Sequence, residues 1–176
     1  ELRHRAYHDP LTDLPNRALF SDRLRVAISQ AQRHGRRFAL CFIDLDGFKP
    51  VNDRYGHAAG DELLVECARR LRACMRAADT IARLGGDEFA AILIDVGSRR
   101  EVEEVATRIV ADLARPFALD AGAVSISCSI GIALFPEHGA DAEVLQHSAD
   151  AALYAVKESS RNAFRICPEG GRGVSA

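Results

Sequence analysis

The stretch Thr80-Ile81-Ala82-Arg83-Leu84-Gly85-Gly86-Asp87-Glu88-Phe89-Ala90-Ala91-Ile92-Leu93-Ile94-Asp95 decides how the rest of the chain reads. Residues 80–84 form a short strand-like run, Gly85-Gly86 is a turn signal, and residues 88–95 form a second run. Two such runs around a Gly-containing turn predict a β-hairpin. On either side the apolar period changes. Leu63, Leu64, Cys67, Leu71 and Met75 recur at helical spacing within residues 61–75, and residues 99–113 are amphipathic in the same way. Beyond these helices lie two more strand-like runs, residues 38–45 and 124–134. The first is apolar nearly throughout, as expected of a strand buried on both faces. The second alternates Ser125, Ser127 and Ser129 with apolar neighbours.

The order is therefore strand, helix, strand, strand, helix, strand. That is the ferredoxin-like βαββαβ plan, an α/β (α+β) class with a mainly antiparallel central sheet flanked by helices. Both ends carry additions. Residues 2–7 read as the tail of a helix entering from upstream, and residues 8–15 as a loop with Pro10 and Pro15. Asn16 is a candidate N-cap for a helix with Leu19, Phe20, Leu24, Ala27, Ile28 and Ala31 on one face, ended by Gly35. Residues 46–60 read as a polar, Gly-containing connection. Residues 142–157 form a further helix, residues 163–166 a last strand, and the Gly-rich end from Gly170 a disordered tail.

Bulk properties exclude several classes. A chain of 176 residues suits one domain with short extensions. A net charge of −2 gives no sign of bulk nucleic-acid or membrane binding, so no DNA partner is expected. No apolar run approaches the ~20 residues of a membrane helix, and no signal peptide is present. The chain begins at Glu1 rather than Met, as an excised fragment would, which leaves room for sensor or membrane segments outside it. Five cysteines, at 41, 67, 74, 128 and 167, form no C-x-x-C pair. They read as reduced core residues of a cytosolic protein, and the His/Cys spacing gives a zinc site no support.

The topology has a chemical consequence. The first strand lies antiparallel beside the third, so the turn between the second and third strands meets the first strand's far end. Asp44 and Asp46 sit at that end, and Asp87 and Glu88 at that turn. Carboxylates this close repel unless something compensates, and a divalent cation is a natural compensator. Oxygen ligands favour Mg²⁺ or Mn²⁺. Gly85 and Gly86 let a phosphate chain approach the turn backbone. The combination points to metal-assisted phosphoryl or nucleotidyl transfer. From spacing alone, a solvated Gly-Gly-Asp turn with surface acids explains the same residues equally well.

Five motifs separate these readings. They are His8-Asp9-Pro10-Leu11-Thr12-Asp13-Leu14-Pro15-Asn16-Arg17; Asp44-Leu45-Asp46-Gly47-Phe48-Lys49-Pro50-Val51-Asn52-Asp53, continuing through Tyr55-Gly56-His57 to Gly60-Asp61; Arg83-Leu84-Gly85-Gly86-Asp87-Glu88-Phe89; Ser129-Ile130-Gly131-Ile132-Ala133; and Ala149-Asp150, Ala152-Leu153-Tyr154, Lys157 and Arg161-Asn162. In this order they resemble the GGDEF diguanylate cyclases, from about residue 9 to residue 162. The sheet plan is also similar to that of other nucleotide cyclases and polymerase palm domains.

The resemblance implies a domain over residues 9–166, preceded by the end of a signalling helix or linker at 1–8 and followed by a tail at 167–176. It implies condensation of two GTP into cyclic di-GMP with release of two pyrophosphates. Asp44, Asp87 and the Leu45 carbonyl match metal ligands for Mg²⁺ or Mn²⁺. Glu88 matches the acid that assists metal binding or deprotonation. Asn52 and Asp61 match the pair that reads the guanine edge. Phe48, Lys49, Gly86, Lys157 and Arg161 match positions around the triphosphate, Phe48 and Gly86 through backbone N–H groups. Asp87, Glu88 and Lys157 are the catalytic candidates. Asp46 is left to a structural role, and so is His57.

Since one domain binds one GTP, a second copy is expected as partner, with a fused upstream sensory domain and a cytoplasmic location. Arg76 and Asp79, the latter separated from Gly85 by five residues, match the family's Arg-x-x-Asp product-inhibition site. Three positions depart from the pattern. Ser160 stands for a usual Gly, Pro50 follows Lys49, and Asp13 replaces a common Gly. The alternative is a catalytically silent module acting as a GTP or cyclic di-GMP receptor in a larger signalling protein.

Overall fold

The structure, a computed structural model, describes residues 2–169. Its elements run α1 (Leu2–Tyr7), α2 (Arg17–His34), β1 (Phe38–Asp46), α3 (Phe48–Tyr55), α4 (His57–Cys74), β2 (Thr80–Gly85), β3 (Glu88–Leu93), α5 (Arg99–Ala114), β4 (Phe117–Leu119), β5 (Gly122–Val124), β6 (Ser127–Phe135), α6 (Ala142–Glu158) and β7 (Ala163–Ile166). The main sheet has the order β2-β3-β1-β6-β7. Four strands pair antiparallel, and β7 joins β6 in parallel, so the sheet is mixed only at that edge. This is the expected ferredoxin-like core with one strand added.

β1 lies in the middle of the sheet, and all nine of its residues are buried. Alternation then sorts its side chains. Ala39, Cys41, Ile43 and Leu45 join the core shared with α4 and α5. Phe38, Leu40 and Phe42 join the core shared with α2 and α6. Asp44 and Asp46 continue this second set by parity, so both aim at the α6 side.

The helix ends follow their chemistry. The Asn16 side chain accepts from the Leu19 N–H, and Gly35 closes α2 with a φ of 62°. Arg70 is buried on α4, where it donates to the carbonyls of Asp112, Arg115 and Pro116 and lies over the Phe117 ring. It thereby holds the end of α5 against α4.

Several expectations need correction. Residues 47–55 are not a connection but mostly the helix α3, and α4 begins at His57, so Asp61 lies inside it. Val51 is the single buried residue of α3, too little for a visible apolar stripe. Pro50 falls in the first turn of α3, where its missing N–H breaks no helical bond. Residues 124–134 are not one strand, because Val124 ends the small β4–β5 hairpin and β6 starts at Ser127. Cys167 is buried and its N–H donates to the Ile132 carbonyl, so order extends past residue 166. The expected tail from Gly170 lies outside the described residues. All five thiols are free and buried, and burial pushes those of Cys41 and Cys67 up to about 12. Among the described residues no helix is long and apolar enough to cross a membrane.

His138 is 7% exposed, and its Nδ1 accepts from the Leu134 N–H at 2.8 Å. Burial holds its pKa below the ordinary 6.5. The folded state therefore favours neutral His138, whereas the unfolded chain takes up the proton first as pH falls. Its stabilising effect is full above about pH 6.5 and declines below it. His138→Asn, which keeps an acceptor at the Nδ1 position, should flatten the acid limb of stability against pH in urea unfolding. An unchanged slope would remove His138 from the acid response.

Candidate active site

Parity and register assemble the site. Asp44 pairs with Glu88 of β3 on one side and with Ser129 of β6 on the other. The Leu45 N–H donates to the Asp87 carbonyl at 3.2 Å, which seats the β2–β3 turn on the end of β1. The turn needs its glycines, because Gly85 has φ 141° and Gly86 φ 49°. Asp44, Asp87 and Glu88, separated by some forty positions in sequence, thus share one rim. Burial, then Asp44 and then Glu88, push the Asp87 carboxyl above the usual carboxylate value. Desolvation is the larger cause, and the neighbouring carboxylates add to it. Lys157 of α6 pairs with Asp44, and this contact raises the lysine above its ordinary pKa. Glu88 is more exposed, with the Arg17 guanidinium 3.9 Å away. Beside them lies a cleft of about 260 Å³ bounded by Phe42, Asp44, Glu88, Arg17, Asp150 and Leu153.

Asp46 does different work. It accepts from Ser127 Oγ at 2.8 Å, Ser129 Oγ at 2.9 Å and the Asn162 N–H at 3.1 Å, with Arg161 at 3.5 Å. The alternating serines of β6 therefore serve Asp46, and Asp46 ties down the loop that follows α6. Arg161 and Asn162 are the left-handed residues of that loop, with φ of 50° and 47°. No glycine is required at Ser160.

The opposite wall is α3 and α4, joined by Gly56. Gly47, with φ 86°, starts α3 without a side-chain cap, so the Phe48 and Lys49 N–H groups are left for a ligand. Phe48 packs on the core while Lys49 is exposed. Asn52 of α3 lies against Gly60 of α4, and its Oδ1 is buried without a partner. A Cβ on Gly60 would stand 2.8 Å from Asn52 Cγ and closer still to Oδ1. Asp61 follows on the same helix, exposed. Gly60→Ala should therefore swing Asn52 out of position at little cost in stability, since a side-chain end yields rather than backbone. On the assignment of Asn52 to the guanine edge that the resemblance implies, KM for GTP should rise roughly tenfold. An unchanged KM would break the link between Gly60 and Asn52.

Arg83 was missed at the sequence level as a site residue. Its guanidinium donates to the Gly86 carbonyl at 2.8 Å and to both Asp9 oxygens at 3.0 and 3.1 Å. Burial pushes Asp9 upward, but hydrogen bonds from Thr12 and the Arg83 cation outweigh it and leave the carboxyl below its usual range. The entry loop thus braces the Gly85–Gly86 turn. A residue pair 74 positions apart leaves no local signal, although both members fall inside quoted motifs.

Arg76 and Asp79 lie at the other end of β2. Asp79 accepts from the Arg76 and Ile94 N–H groups, at 3.0 and 3.1 Å, and so ties the start of β2 to the end of β3. The Arg76 side chain is exposed and reaches Glu101 at 3.5 Å. An open cavity of about 270 Å³ at this face also takes in Arg23 and Arg72.

Comparison with known proteins agrees with this geometry. The family model "Diguanylate cyclase, GGDEF domain" matches residues 6–163. MucR of Pseudomonas aeruginosa, named a bifunctional diguanylate cyclase/cyclic di-GMP phosphodiesterase, is 51% identical over 164 residues, 93% of this chain and 24% of MucR. The diguanylate cyclase TpbB of the same species is 47% identical over 94% of this chain and 38% of TpbB. The chain thus spans a minor part of these relatives' lengths. The solved GGDEF domain of TpbB superposes with a TM-score of 0.89 at 46% identity, covering 92% of this chain and 94% of that one. The GGDEF domain of DgcB from Caulobacter crescentus, solved with c-di-GMP, has a TM-score of 0.84 at 30% identity, covering 92% and 96%. With a family match over most of its length and the carboxylate rim in place, the chain belongs to the GGDEF diguanylate cyclase family.

Proposed function

We propose that this domain condenses two GTP molecules into cyclic di-GMP and two pyrophosphates. The observation that carries the proposal is the convergence of Asp44, Asp87 and Glu88 on one rim beside the α3–α4 wall. The donor set is all oxygen, and carboxylates gathered on one rim fit a hard divalent cation. Asp44, Asp87 and the Leu45 carbonyl are the proposed ligands, assisted by Glu88. When bound, Mg²⁺ or Mn²⁺ polarises the α-phosphate and lowers the pKa of the attacking 3′-hydroxyl.

The chain's own residues do the rest. Asp61 accepts from guanine N1–H and the 2-amino group, and Asn52 supplies an amide donor, which selects GTP over ATP. Lys49, Lys157 and Arg161 offset triphosphate charge. Lys157 is paired with Asp44, so it can exchange that carboxylate for a phosphate oxygen when a cation takes its place. The Phe48 and Gly86 N–H groups bind phosphate oxygens. Glu88 assists at the metal or takes up the 3′-hydroxyl proton. Each domain binds one GTP, so two copies face each other for in-line attack. Residues 1–8 are the end of a segment that carries the upstream input, and the whole works in the cytoplasm, where GTP is supplied.

Arg76 and Asp79 form the site where cyclic di-GMP inhibits. The exposed Arg76 pairs with guanine O6 and N7. Incubating the purified chain with GTP and Mg²⁺ should yield cyclic di-GMP, and Arg76→Ala should keep turnover while relieving product inhibition. No product from a dimeric sample of Arg76→Ala would favour the receptor reading. Undiminished inhibition in that variant would sink the inhibitory site.

A further inference from the structure

We propose that His4, His8 and Asp13 form a site for a divalent transition-metal ion of the zinc class, which fastens the entering helix to the first loop of the domain. The proposal does not rest on the catalytic reading. The site lies at the helix–loop junction, and no residue in it belongs to the carboxylate rim.

His4 and His8 stand four residues apart at α1, and the His8 N–H still donates to the His4 carbonyl, so the helical turn runs through both. This spacing presents two imidazoles on one face. Their rings are stacked, with centroids 3.9 Å apart and planes 12° from parallel.

The loop after α1 folds back on it. The Asp9 N–H donates to the Leu14 carbonyl, the Asn16 N–H to Tyr7, and the Asn16 Nδ2 to Ala6. This closure brings Asp13 to both imidazoles. Its Oδ1 is 2.6 Å from His4 Nε2, and its carbonyl is 3.1 Å from His8 Nδ1. One ring nitrogen of each histidine and one Asp13 carboxylate oxygen all lie within 4.8 Å of one another.

A tetrahedral zinc ion with bonds of about 2.1 Å separates its ligand atoms by roughly 3.4 Å. The separations here run from 2.6 Å to no more than 4.8 Å, so small rotations of exposed side chains reach that value. His4 and Asp13 are 55% and 68% exposed and free to make them. Two nitrogens and one oxygen select a borderline ion such as Zn²⁺ over Mg²⁺, which the oxygen-only rim takes. Water would fill the fourth position, so the ion can exchange.

The site has a direct line into the domain. Asp13 shares its loop with Asp9, whose carboxylate holds Arg83 on the Gly86 carbonyl. An ion here stiffens the joint between the entering helix and the loop that braces the catalytic turn. This departs from the sequence reading, in which His/Cys spacing gave a zinc site no support, because the third ligand, Asp13, meets the histidines only in the folded loop.

The test uses the tag-free chain with excess Mg²⁺, titrated with Zn²⁺ against a chromophoric chelator, and with Cu²⁺ as a spectroscopic probe. Asp13 has φ 58°, a conformation asparagine tolerates, so Asp13→Asn keeps the loop. The wild-type chain should bind one Zn²⁺, and bound Cu²⁺ should show hyperfine coupling to two nitrogens. Asp13→Asn should weaken Zn²⁺ binding at least about tenfold. His4→Ala/His8→Ala should abolish both the binding and the nitrogen coupling, with an unchanged circular dichroism spectrum. Zn²⁺ uptake equal in wild type and the double-histidine variant would overturn the proposal. So would wild-type Cu²⁺ spectra without nitrogen coupling.

Discussion

Asp44→Asn should lower cyclic di-GMP formation about a thousandfold or more, since losing the proposed metal ligand would remove several kcal/mol of transition-state stabilisation. Asp44 is 8% exposed at the end of the central strand, so its position is set by the sheet and not by a mobile loop. Asparagine keeps the shape and one oxygen but removes the charge that holds a hard cation. Lys157, already 35% exposed, can turn to solvent when its partner is gone, so the fold should survive. The measurement is the initial rate of product formation across a Mg²⁺ titration, with thermal unfolding as the control for folding. A variant within tenfold of wild type would exclude Asp44 from the metal site and move the domain toward the receptor reading.

Gly131→Ala should destabilise the domain by about 3 kcal/mol or more. Gly131 lies on β6, on the face that α6 covers, between Ser129 and Ala133. A Cβ there would stand 2.7 Å from Leu153 Cα and closer still to the Ala149 carbonyl oxygen and the Leu153 N–H. These are helix backbone atoms, which cannot rotate away as a side chain can. The whole of α6 would have to rise by about an ångström, opening voids along the Ala149 and Leu145 seam and shifting Lys157 from the rim. Urea unfolding checks this, and a loss under about 1 kcal/mol would show that α6 is not held at that distance. The contrast with Gly60 is instructive. There the obstacle is the end of the Asn52 side chain, so the cost falls on binding and not on folding.

The hairpin, the central strand and the flanking helices were legible because each repeats its apolar residues at its own period over enough turns or alternations. The convergence of Asp44 with Asp87 and Glu88 followed from topology, since a buried βαββαβ core pairs the first and third strands. The helix α3 was not legible, because eight residues with one buried apolar side chain carry no period. The break between Val124 and Ser127 was hidden by continuous alternation across it. Asp46 could be set aside from the catalytic acids but not assigned partners, because both serines come from a strand more than eighty residues away.

By itself, the sequence determined the core elements, their order and the family, because periodicity and motif spacing are properties of the chain. It also determined which acids end the first strand. Which partners each acid meets was decided only in the tertiary structure. Asp44 and Asp46 are both acids of one strand on one face, and nothing local tells them apart. The register of β6 puts two serine hydroxyls on Asp46, and the end of α6 puts Lys157 on Asp44. The Asp9–Arg83–Gly86 brace and the meeting of His4 with Asp13 have the same origin. Each depends on a directional contact between segments that only chain folding brings within hydrogen-bond reach.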